Sequence, residues 1–191
     1  MTYGGYLLTD LFGGTKASLY VPHISAPEFP WYVLRVRSKC EAAACQILES
    51  NGYTSYVPLY RSRRQWSDRI KEFENALFPG YAFCRFNPRE KLPILMTPGI
   101  AGILESAAGP IAVNESEIES IRIMVQSGLQ VGPWPFLHAG QTVLVEHGPL
   151  SGVEGRIVSV KNSYRLVVSV SLLQRSVCAE IDRAWVRPVA A

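Results

Sequence analysis

The order of the periodic patterns along this chain of 191 residues restricts the possible folds more than its composition does. Strand-like and helix-like stretches alternate up to about residue 127, whereas only strand-like stretches follow residue 139. Residues 128–137, between the two regions, include two glycines and two prolines. Such a change separates a mixed layer architecture from an all-β one. The sequence therefore predicts a mobile leader at 1–30, an α+β domain at 31–127, a linker at 128–137 and an all-β domain at 138–191.

The first domain is expected to contain a sheet and three helices. The run WYVLRVR has the period of two that is typical of a strand. Ser38 and Glu41 then fit a capping box and Asn51-Gly52 a left-handed stop, so we expect a helix from about residue 39 to 51. A short helix is expected after Asn87-Pro88, and a third is expected to be capped by Asn114 and Glu117.

Five short strand patterns fill about fifty residues of the second domain, without a helix signal. GPLSGVEG, which begins at Gly148, reads as a turn that joins two of them. A sheet this small has edges that are hard to protect, and closure removes them. The sequence therefore predicts a small closed β-barrel.

Composition and motifs argue against several classes of protein. Hydrophobic residues make up 48% of the chain and charged residues 18%, which suits a packed core. No stretch reaches the roughly 18 apolar residues of a spanning helix, and the first thirty residues lack a signal-peptide pattern. We therefore expect a cytoplasmic protein that does not bind membranes. The motifs HExxH, GxSxG and the P-loop are absent, so we expect no catalytic residues, no cofactor, no metal and no enzyme activity. The four scattered cysteines are expected to be reduced, buried thiols.

Two features call for a functional explanation. The stretch Leu77 to Tyr81, LFPGY, places two aromatic residues around a Pro-Gly pair; this indicates either core packing or an aromatic depression that accepts another protein's apolar side chains. Basic residues are concentrated from Trp31 to Lys91, where eleven Lys/Arg face six Asp/Glu. They indicate either solvated surface or contact with nucleic acid, and the candidates are Arg35, Arg37, Lys39, Arg61, Arg63 and Arg64.

Several stretches resemble the NusG family of transcription factors. WYVLRVRSKCE, LFPGYAFCRF, TPGIAGIL and PIAVNESEI are similar to the NusG N-terminal domain, and GQTVLVEHGPLSGVEGRIVSV is similar to a KOW motif. The resemblance covers roughly Trp31 to Val189. It implies a four-stranded antiparallel sheet with helices, tethered to a five-stranded SH3-like barrel.

The resemblance also implies partners and residues. In this family the N-terminal domain binds the clamp helices of the largest RNA polymerase subunit, spans the cleft and suppresses pausing. The positions that match this contact are Trp31, Tyr32, Phe78, Pro79, Gly80 and Tyr81. The edge that faces non-template DNA or nascent RNA corresponds to Arg37, Lys39 and Thr97. The barrel turn, which relatives use to contact a small-subunit ribosomal protein or the termination factor Rho, corresponds to Gly148, Pro149 and Leu150.

The sequence is most similar to the specialised RfaH-like and UpxY-like branch, which implies antitermination on specific operons. It departs from the family at Lys39, where a glycine is usual, and at Arg35, where RfaH-like relatives have tyrosine. The alternative function is a ribosome-associated or RNA-binding KOW module that does not bind polymerase. A metal-dependent enzyme is a third possibility, which metal analysis of the purified protein distinguishes.

Overall fold

The computed structural model describes residues 29–66, 69–134, 140–160 and 163–189, without the side chains of 63–66, 69–71 and 160. Residues 1–28 of the expected leader and 135–139 of the expected linker lie outside the described residues. Within the described part, no helix is long and apolar enough to cross a membrane.

The N-terminal half combines short strands with three helices. Its elements in chain order are β1 (Trp31–Val36), α1 (Glu41–Ser50), β2 (Thr54–Tyr56), β3 (Leu59–Trp66), β4 (Arg69–Ala76), β5 (Tyr81–Arg85), α2 (Leu92–Leu95), β6 (Ile100–Ile103), β7 (Glu105–Ser106), β8 (Gly109–Pro110), β9 (Ala112–Val113) and α3 (Glu115–Gln126). The expected start of α2 near Asn87 is wrong. Residues 87–90 form a turn, in which Glu90 N–H donates to the Asn87 carbonyl, and the helix begins only at Leu92.

The ends of the helices agree with some of the predicted capping residues and contradict others. Asn114 caps α3, because its side chain accepts a hydrogen bond from Ser116 N–H at 3.0 Å. The capping box expected at α1 is wrong, since its N-cap is Cys40 and no side chain caps the helix. Gly52 follows α1 with a φ of +87°, as the left-handed stop requires.

The N-terminal sheet has the order β2-β5-β1-β6, and β9 also pairs with β1. All its ladders are antiparallel. Five strands occur where four were expected, because β6 and the short β9 share the second edge of β1. Residues 59–66 and 69–76 form a separate two-stranded ribbon of β3 and β4.

The C-terminal half consists of strands and two short 3-10 helices. Its elements are β10 (Val131–Trp134), β11 (Gln141–Val145), β12 (Glu154–Val160), β13 (Ser163–Val170), a 3-10 helix (Ser171–Leu173), β14 (Arg175–Ile181), a second 3-10 helix (Arg183–Trp185) and β15 (Val186–Pro188). The C-terminal sheet has the antiparallel order β10-β14-β13-β12-β11-β15. It has six strands where five were expected, because part of the expected linker forms β10. In the described residues no ladder joins β10 to β15, so the expected closed barrel is not observed.

The two halves share one hydrophobic core. Trp31, Val33 and Phe83 of the N-terminal sheet belong to the same cluster of buried residues as α3 and the inner face of the C-terminal sheet. A second cluster lies on the opposite face of the N-terminal sheet, where α1 and α2 pack. The N-terminal sheet is therefore covered on both faces, one of them by α3 together with the C-terminal sheet.

Candidate functional site: an aromatic face covered by the C-terminal sheet

Alternation along β1 and β5 sorts the expected polymerase-binding residues onto two faces. Trp31 lies opposite Arg85 and Arg35 opposite Tyr81, so these four side chains share the face of α3. Tyr32 points to the other face, where it is 6% exposed and its ring lies 4.8 Å from that of Phe86, tilted by 48°. The structure therefore separates Tyr32 from the rest of the predicted contact residues.

Five aromatic residues on or beside the α3 side of the N-terminal sheet make up what we call the aromatic face: Trp31, Tyr56, Phe78, Tyr81 and Phe83. Ring centroids are 6.5 Å apart for Trp31 and Tyr56, 6.4 Å for Tyr56 and Phe83 and 6.0 Å for Phe78 and Phe83. Trp31, Phe78 and Phe83 are buried, whereas Tyr56 and Tyr81 are half-buried. Phe78 is therefore a core residue, and Tyr81 is the less buried of the two rings of the LFPGY stretch.

Charged side chains hold Trp31 in place. Its indole N–H donates to the Glu115 carboxylate at 3.1 Å, and the same carboxylate pairs with Arg85. The Arg85 guanidinium lies 4.7 Å and that of Arg122 5.6 Å from the centre of the indole ring. Two cations lie over this ring, and the indole N–H already has an acceptor within the protein. Trp31 therefore supports the aromatic face and does not offer a free contact.

The LFPGY turn presents Pro79 and supports Tyr81. Pro79 is exposed, and Gly80 has a φ of +84°, a conformation that favours glycine. The Gly80 carbonyl accepts from Val36 N–H at 2.8 Å, and Tyr81 N–H donates to the Phe78 carbonyl at 3.0 Å. The turn is therefore fixed at the end of β1.

The C-terminal sheet reaches over the aromatic face. The Arg175 guanidinium carbon lies 5.3 Å from the centre of the Tyr81 ring. Ser171 N–H, at the start of the first 3-10 helix, donates to the Glu117 carboxylate of α3 at 3.3 Å. Leu172 and Leu173 pack against the shared core. Arg175 thus covers Tyr81, and the 3-10 helix that precedes it packs against the shared core.

The basic residues expected to contact nucleic acid differ in how far their side chains are exposed. Arg35, Arg37 and Lys39 are exposed at the end of β1 and in the turn that follows. Lys39 has a φ of +68°, a conformation in which the usual glycine of the family would be unstrained. These three residues form a basic stretch at one end of the N-terminal sheet.

The remaining predicted nucleic-acid residues lie on β3 or just after α2. Arg61 is exposed on β3 and its guanidinium lies 3.7 Å from the carboxylate of Glu74. The backbones of Arg63 and Arg64 lie in β3, but their side chains are outside the described part. Thr97 is only 5% exposed, and its hydroxyl donates to the Pro93 carbonyl at 3.1 Å. The Thr97 hydroxyl therefore completes the end of α2, and a contact of this residue with DNA stays a prediction.

The turn of the C-terminal sheet that was expected to contact a partner exposes fewer side chains than predicted. Leu150 is fully buried in the shared core, so its side chain is not exposed in this structure. Gly148 packs against Trp185, since a Cβ added there would lie 2.9 Å from the indole ring. Of the predicted residues, only Pro149 presents an exposed side chain.

The cysteines are free, as expected. Cys45, Cys84 and Cys178 are buried and Cys40 is partly exposed. Burial raises the pKa of the Cys84 thiol to about 12, and the neighbouring Cys45 adds to the shift. Burial also raises the pKa of Cys178, against the lowering effect of Arg165. Among the described residues no group of three or more His, Cys, Asp or Glu side chains could hold a metal ion.

Comparison with known proteins identifies the family. A family model described as "Transcription termination factor nusG" matches residues 29–122. The transcription termination/antitermination protein NusG of Rickettsia prowazekii (strain Madrid E) is 31% identical over 130 residues, which cover 66% of this chain and 68% of the relative. The chain belongs to the NusG family. NusG of Lactococcus lactis subsp. lactis (strain IL1403) is 27% identical over 141 residues, covering 71% of this chain and 75% of the relative.

A solved structure supports the fold of this NusG-family chain. The structure described as "Domain interaction in Thermotoga maritima NusG" covers 84% of this chain and 97% of its own, with a TM-score of 0.51 and 18% identity. At this identity the likeness concerns the fold alone. The relatives carry the general NusG name, so membership of the RfaH-like and UpxY-like branch remains a prediction.

Two residues of the candidate site were missed from the sequence. Tyr56 belongs to the aromatic face, and its buried hydroxyl has no hydrogen-bond partner in the described structure. Arg175 covers Tyr81 from 94 positions further along the chain. Tyr56 could have been found from its place in a strand pattern beside LFPGYAFCRF. Arg175 could not, because nothing local indicates a contact between the two halves.

Proposed function

We propose that this chain is a transcription elongation and antitermination factor that binds the clamp helices of the largest RNA polymerase subunit through the aromatic face. Bound there, it suppresses pausing or termination, with specific operons as its targets. Membership of the NusG family supports the general role. The observation that carries the contact is the half-buried Tyr81 ring, which lies beside the exposed Arg35 and under the guanidinium of Arg175 at the start of β14.

The chemistry of this surface suits a helical partner. Tyrosine side chains bury large areas at low cost in conformational entropy, and Trp, Tyr and Arg are enriched at the centres of interfaces. Tyr81 and Arg35 are directly opposite each other on β5 and β1, so one apolar ring and one cation face the partner together. A pair of amphipathic helices offers both apolar and charged side chains to such a surface.

Binding requires that the C-terminal sheet uncovers Tyr81. The described polar contacts across this interface include one hydrogen bond to Glu117 and one cation–π contact to Tyr81. Each contributes on the order of 1 kcal/mol. A partner that binds only the uncovered state shifts the equilibrium by its differential affinity for the two states.

The further contacts belong to the same proposal. Arg35, Arg37 and Lys39 touch exposed non-template DNA or nascent RNA beside the clamp, where neutralised phosphates release counterions. The turn at Gly148 and Pro149 contacts a small-subunit ribosomal protein or Rho. No covalent step is involved: the factor stabilises the active elongation state by binding, and about 1.4 kcal/mol changes the ratio of active to paused complexes tenfold.

The test compares two tyrosines in similar surroundings. Tyr81→Ala removes the proposed contact, whereas Tyr164→Ala removes a half-buried tyrosine of the C-terminal sheet that Arg183 covers at 5.2 Å in the same way. We expect Tyr81→Ala to lower the affinity for a purified elongation complex at least tenfold and to abolish pause suppression in vitro, and Tyr164→Ala to change neither. Phe78→Ala is less informative, because Phe78 is fully buried and its loss destabilises the core.

Two outcomes contradict the proposal. Equal affinities of the two variants and the wild type would remove the aromatic face as the contact. If the wild-type chain bound structured RNA tightly and the elongation complex not at all, the chain would be an RNA-binding or ribosome-associated module.

A further inference from the structure

Three residues lie in a row across the N-terminal sheet, on the side of the aromatic face. Arg35 of β1 is directly opposite Tyr81 of β5 and, on the other edge of β1, directly opposite Gly102 of β6. Directly opposed residues point to the same face of a sheet, so the Arg35 side chain can lie over either neighbouring strand. Because Gly102 has no side chain, the space on the β6 side is open to it.

The guanidinium of Arg35 packs against Gly102. A Cβ added at Gly102 would lie 2.9 Å from Nη2, 3.4 Å from Nε and 3.5 Å from Cζ of Arg35, which are its three nearest atoms. Gly102 is buried, whereas Arg35 is exposed, so the backbone of β6 is covered here by the arginine side chain. A side chain at position 102 would therefore displace the guanidinium.

The pairing of β1 with β6 changes at the same position. Arg35 pairs with Gly102 and Val36 with Ile100, so Ala101 is an extra residue of β6. Such a β-bulge bends the strand and re-aims nearby side chains, and bulges are frequent beside functional sites. The bulge and the glycine thus act on one residue, Arg35.

The guanidinium has no anionic partner within the part of the chain that the structure describes. Arg35 makes no hydrogen bond or ion pair there, although Glu105 lines the same depression. The Glu105 carboxylate pairs instead with Lys91 at 2.9 Å. Arg35 is therefore a fixed, exposed cation that is free to bind an anion.

The surroundings of the guanidinium favour a protein carboxylate over a phosphate. The depression of about 380 Å³ is otherwise lined by the apolar residues Leu95, Ile103 and Leu104. Leu95 is 38% exposed on one side of Arg35, and the Tyr81 ring lies on the other. A phosphate backbone brings a row of charges and is bound by several cations, whereas an interface with another protein combines apolar contacts with single charged pairs.

We propose that Gly102 is a positioning residue, which together with the bulge at Ala101 holds the Arg35 guanidinium ready for a carboxylate of the clamp helices. This inference rests on the proposed function, because the clamp helices supply the carboxylate. It assigns Arg35 to the polymerase and leaves Arg37 and Lys39 for nucleic acid.

The strand spacing defines the chemistry of the partner. β5 and β6 are the two neighbours of β1, and neighbouring strands are about 4.8 Å apart, so the two contacts are about 10 Å apart. Residues seven positions apart on one helix are also separated by about 10 Å, and packed helices by about 8–10 Å. The partner therefore presents an apolar side chain to Tyr81 and an acidic one to Arg35, two turns apart on one helix or on two neighbouring helices.

The first experiment is a double-mutant cycle with an elongation complex. Gly102 is not among the glycines of positive φ, so Gly102→Ala moves the end of a flexible side chain without straining the backbone. We expect Gly102→Ala and Arg35→Ala each to bind about tenfold more weakly, the loss of one hydrogen-bonded charge, and the combined variant to bind no more weakly than Arg35→Ala alone. Gly132→Ala is the matched control, because a Cβ at this strand glycine meets no atom within 4 Å, and it should bind like the wild type. Wild-type affinity of Gly102→Ala, or a further loss in the combined variant, would overturn the positioning role.

The second experiment separates a carboxylate from a phosphate and does not depend on a variant at Gly102. We expect Arg35→Ala to weaken binding to core polymerase without nucleic acid by the same factor as binding to the elongation complex. A loss confined to the elongation complex would mean that Arg35 contacts DNA or RNA, and the proposal would fall.

The third experiment uses no polymerase, so failure of the proposed function is distinguishable. We expect a nuclear Overhauser effect between the Arg35 Nε–H and the Gly102 α-protons in the wild type, retained in Gly132→Ala and lost in Gly102→Ala. The same result in a wild type that binds no polymerase would support the positioning of Arg35 and remove the proposed function. Absence of the effect from the wild type would remove the positioning itself.

Discussion

The carboxylate of Glu41 in α1 accepts a hydrogen bond at 2.8 Å from the backbone N–H of Gly80, 39 positions further along the chain. Glu41 is 6% exposed, so this contact is shielded from water. α1 packs on the face of the N-terminal sheet opposite the aromatic face. The turn that carries Tyr81 is therefore held in position from the other side of the sheet.

Substitutions at Glu41 test this support. Glu41→Ala leaves the Gly80 N–H without its acceptor, and we expect it to lower the free energy of unfolding by about 1–3 kcal/mol. Glu41→Gln keeps an acceptor oxygen and should cost less. Urea denaturation of the full chain measures both. If the two variants lost the same stability, the hydrogen bond to Gly80 would not be the cause.

The turn between β11 and β12 contains two glycines that differ in one respect. Both have a positive φ, +80° at Gly148 and +87° at Gly152. A Cβ added at Gly148 would lie 2.9 Å from the Trp185 ring, whereas a Cβ added at Gly152 would meet no atom within 4 Å. We expect Gly152→Ala to cost about 1 kcal/mol through backbone strain. Gly148→Ala should cost about 1–3 kcal/mol more, because the ring must shift. Thermal unfolding of both variants checks this, and equal losses would show that Trp185 yields without cost.

Local patterns predicted where the helices and strands of this chain lie better than they predicted which residues and strands contact one another. Asn114 caps α3 as the sequence indicates, but Glu41 and Glu117, expected to complete caps, instead accept hydrogen bonds from Gly80 and Ser171. A capping box is a pattern of four residues, and it carries no information about a backbone N–H from elsewhere that competes for the carboxylate. β10 was missed for the same reason, since its partner strand lies more than forty residues away.

The candidate site shows the same limit. The period of two in β1 already requires neighbouring residues to point to opposite faces, so Trp31 and Tyr32 could not both reach one partner. Which face remains accessible depends on the packing of α3 and the C-terminal sheet, and no period in β1 encodes that. The sequence therefore singled out Tyr81 and the basic residues at the end of β1 as candidates, but it could not predict that Arg175 covers Tyr81.

Removal of Arg175 should favour polymerase binding. Arg175→Ala takes away the cation over Tyr81 but leaves the ring, so the uncovered state becomes more populated. A cation–π contact of about 0.5–1 kcal/mol corresponds to roughly two- to fivefold tighter binding to an elongation complex. Arg183→Ala, which removes the same kind of contact from Tyr164, is the matched control and should leave the affinity unchanged. Equal affinity of Arg175→Ala and the wild type would show that Arg175 does not oppose binding.

The Tyr56 hydroxyl should make the fold sensitive to alkaline pH. Burial is the main cause that raises the pKa of this phenol from 10.0 to about 12, while Arg122 lowers it and Glu119 raises it. Since the folded pKa is above the unfolded one, the stabilisation is complete below pH 10 and is lost as the pH rises towards 12, where the unfolded chain ionises first.

Tyr56→Phe isolates this effect. At neutral pH we expect the variant to be as stable as the wild type or more stable, because the hydroxyl is buried without a partner in the described structure. Between pH 10 and 12 the wild type should lose more stability than Tyr56→Phe, and the loss due to Cys84 is common to both proteins. Urea denaturation across this range, with ultraviolet titration of the phenol, measures the difference. Parallel pH profiles of the two proteins would show that Tyr56 ionises in the folded state as easily as in the unfolded one.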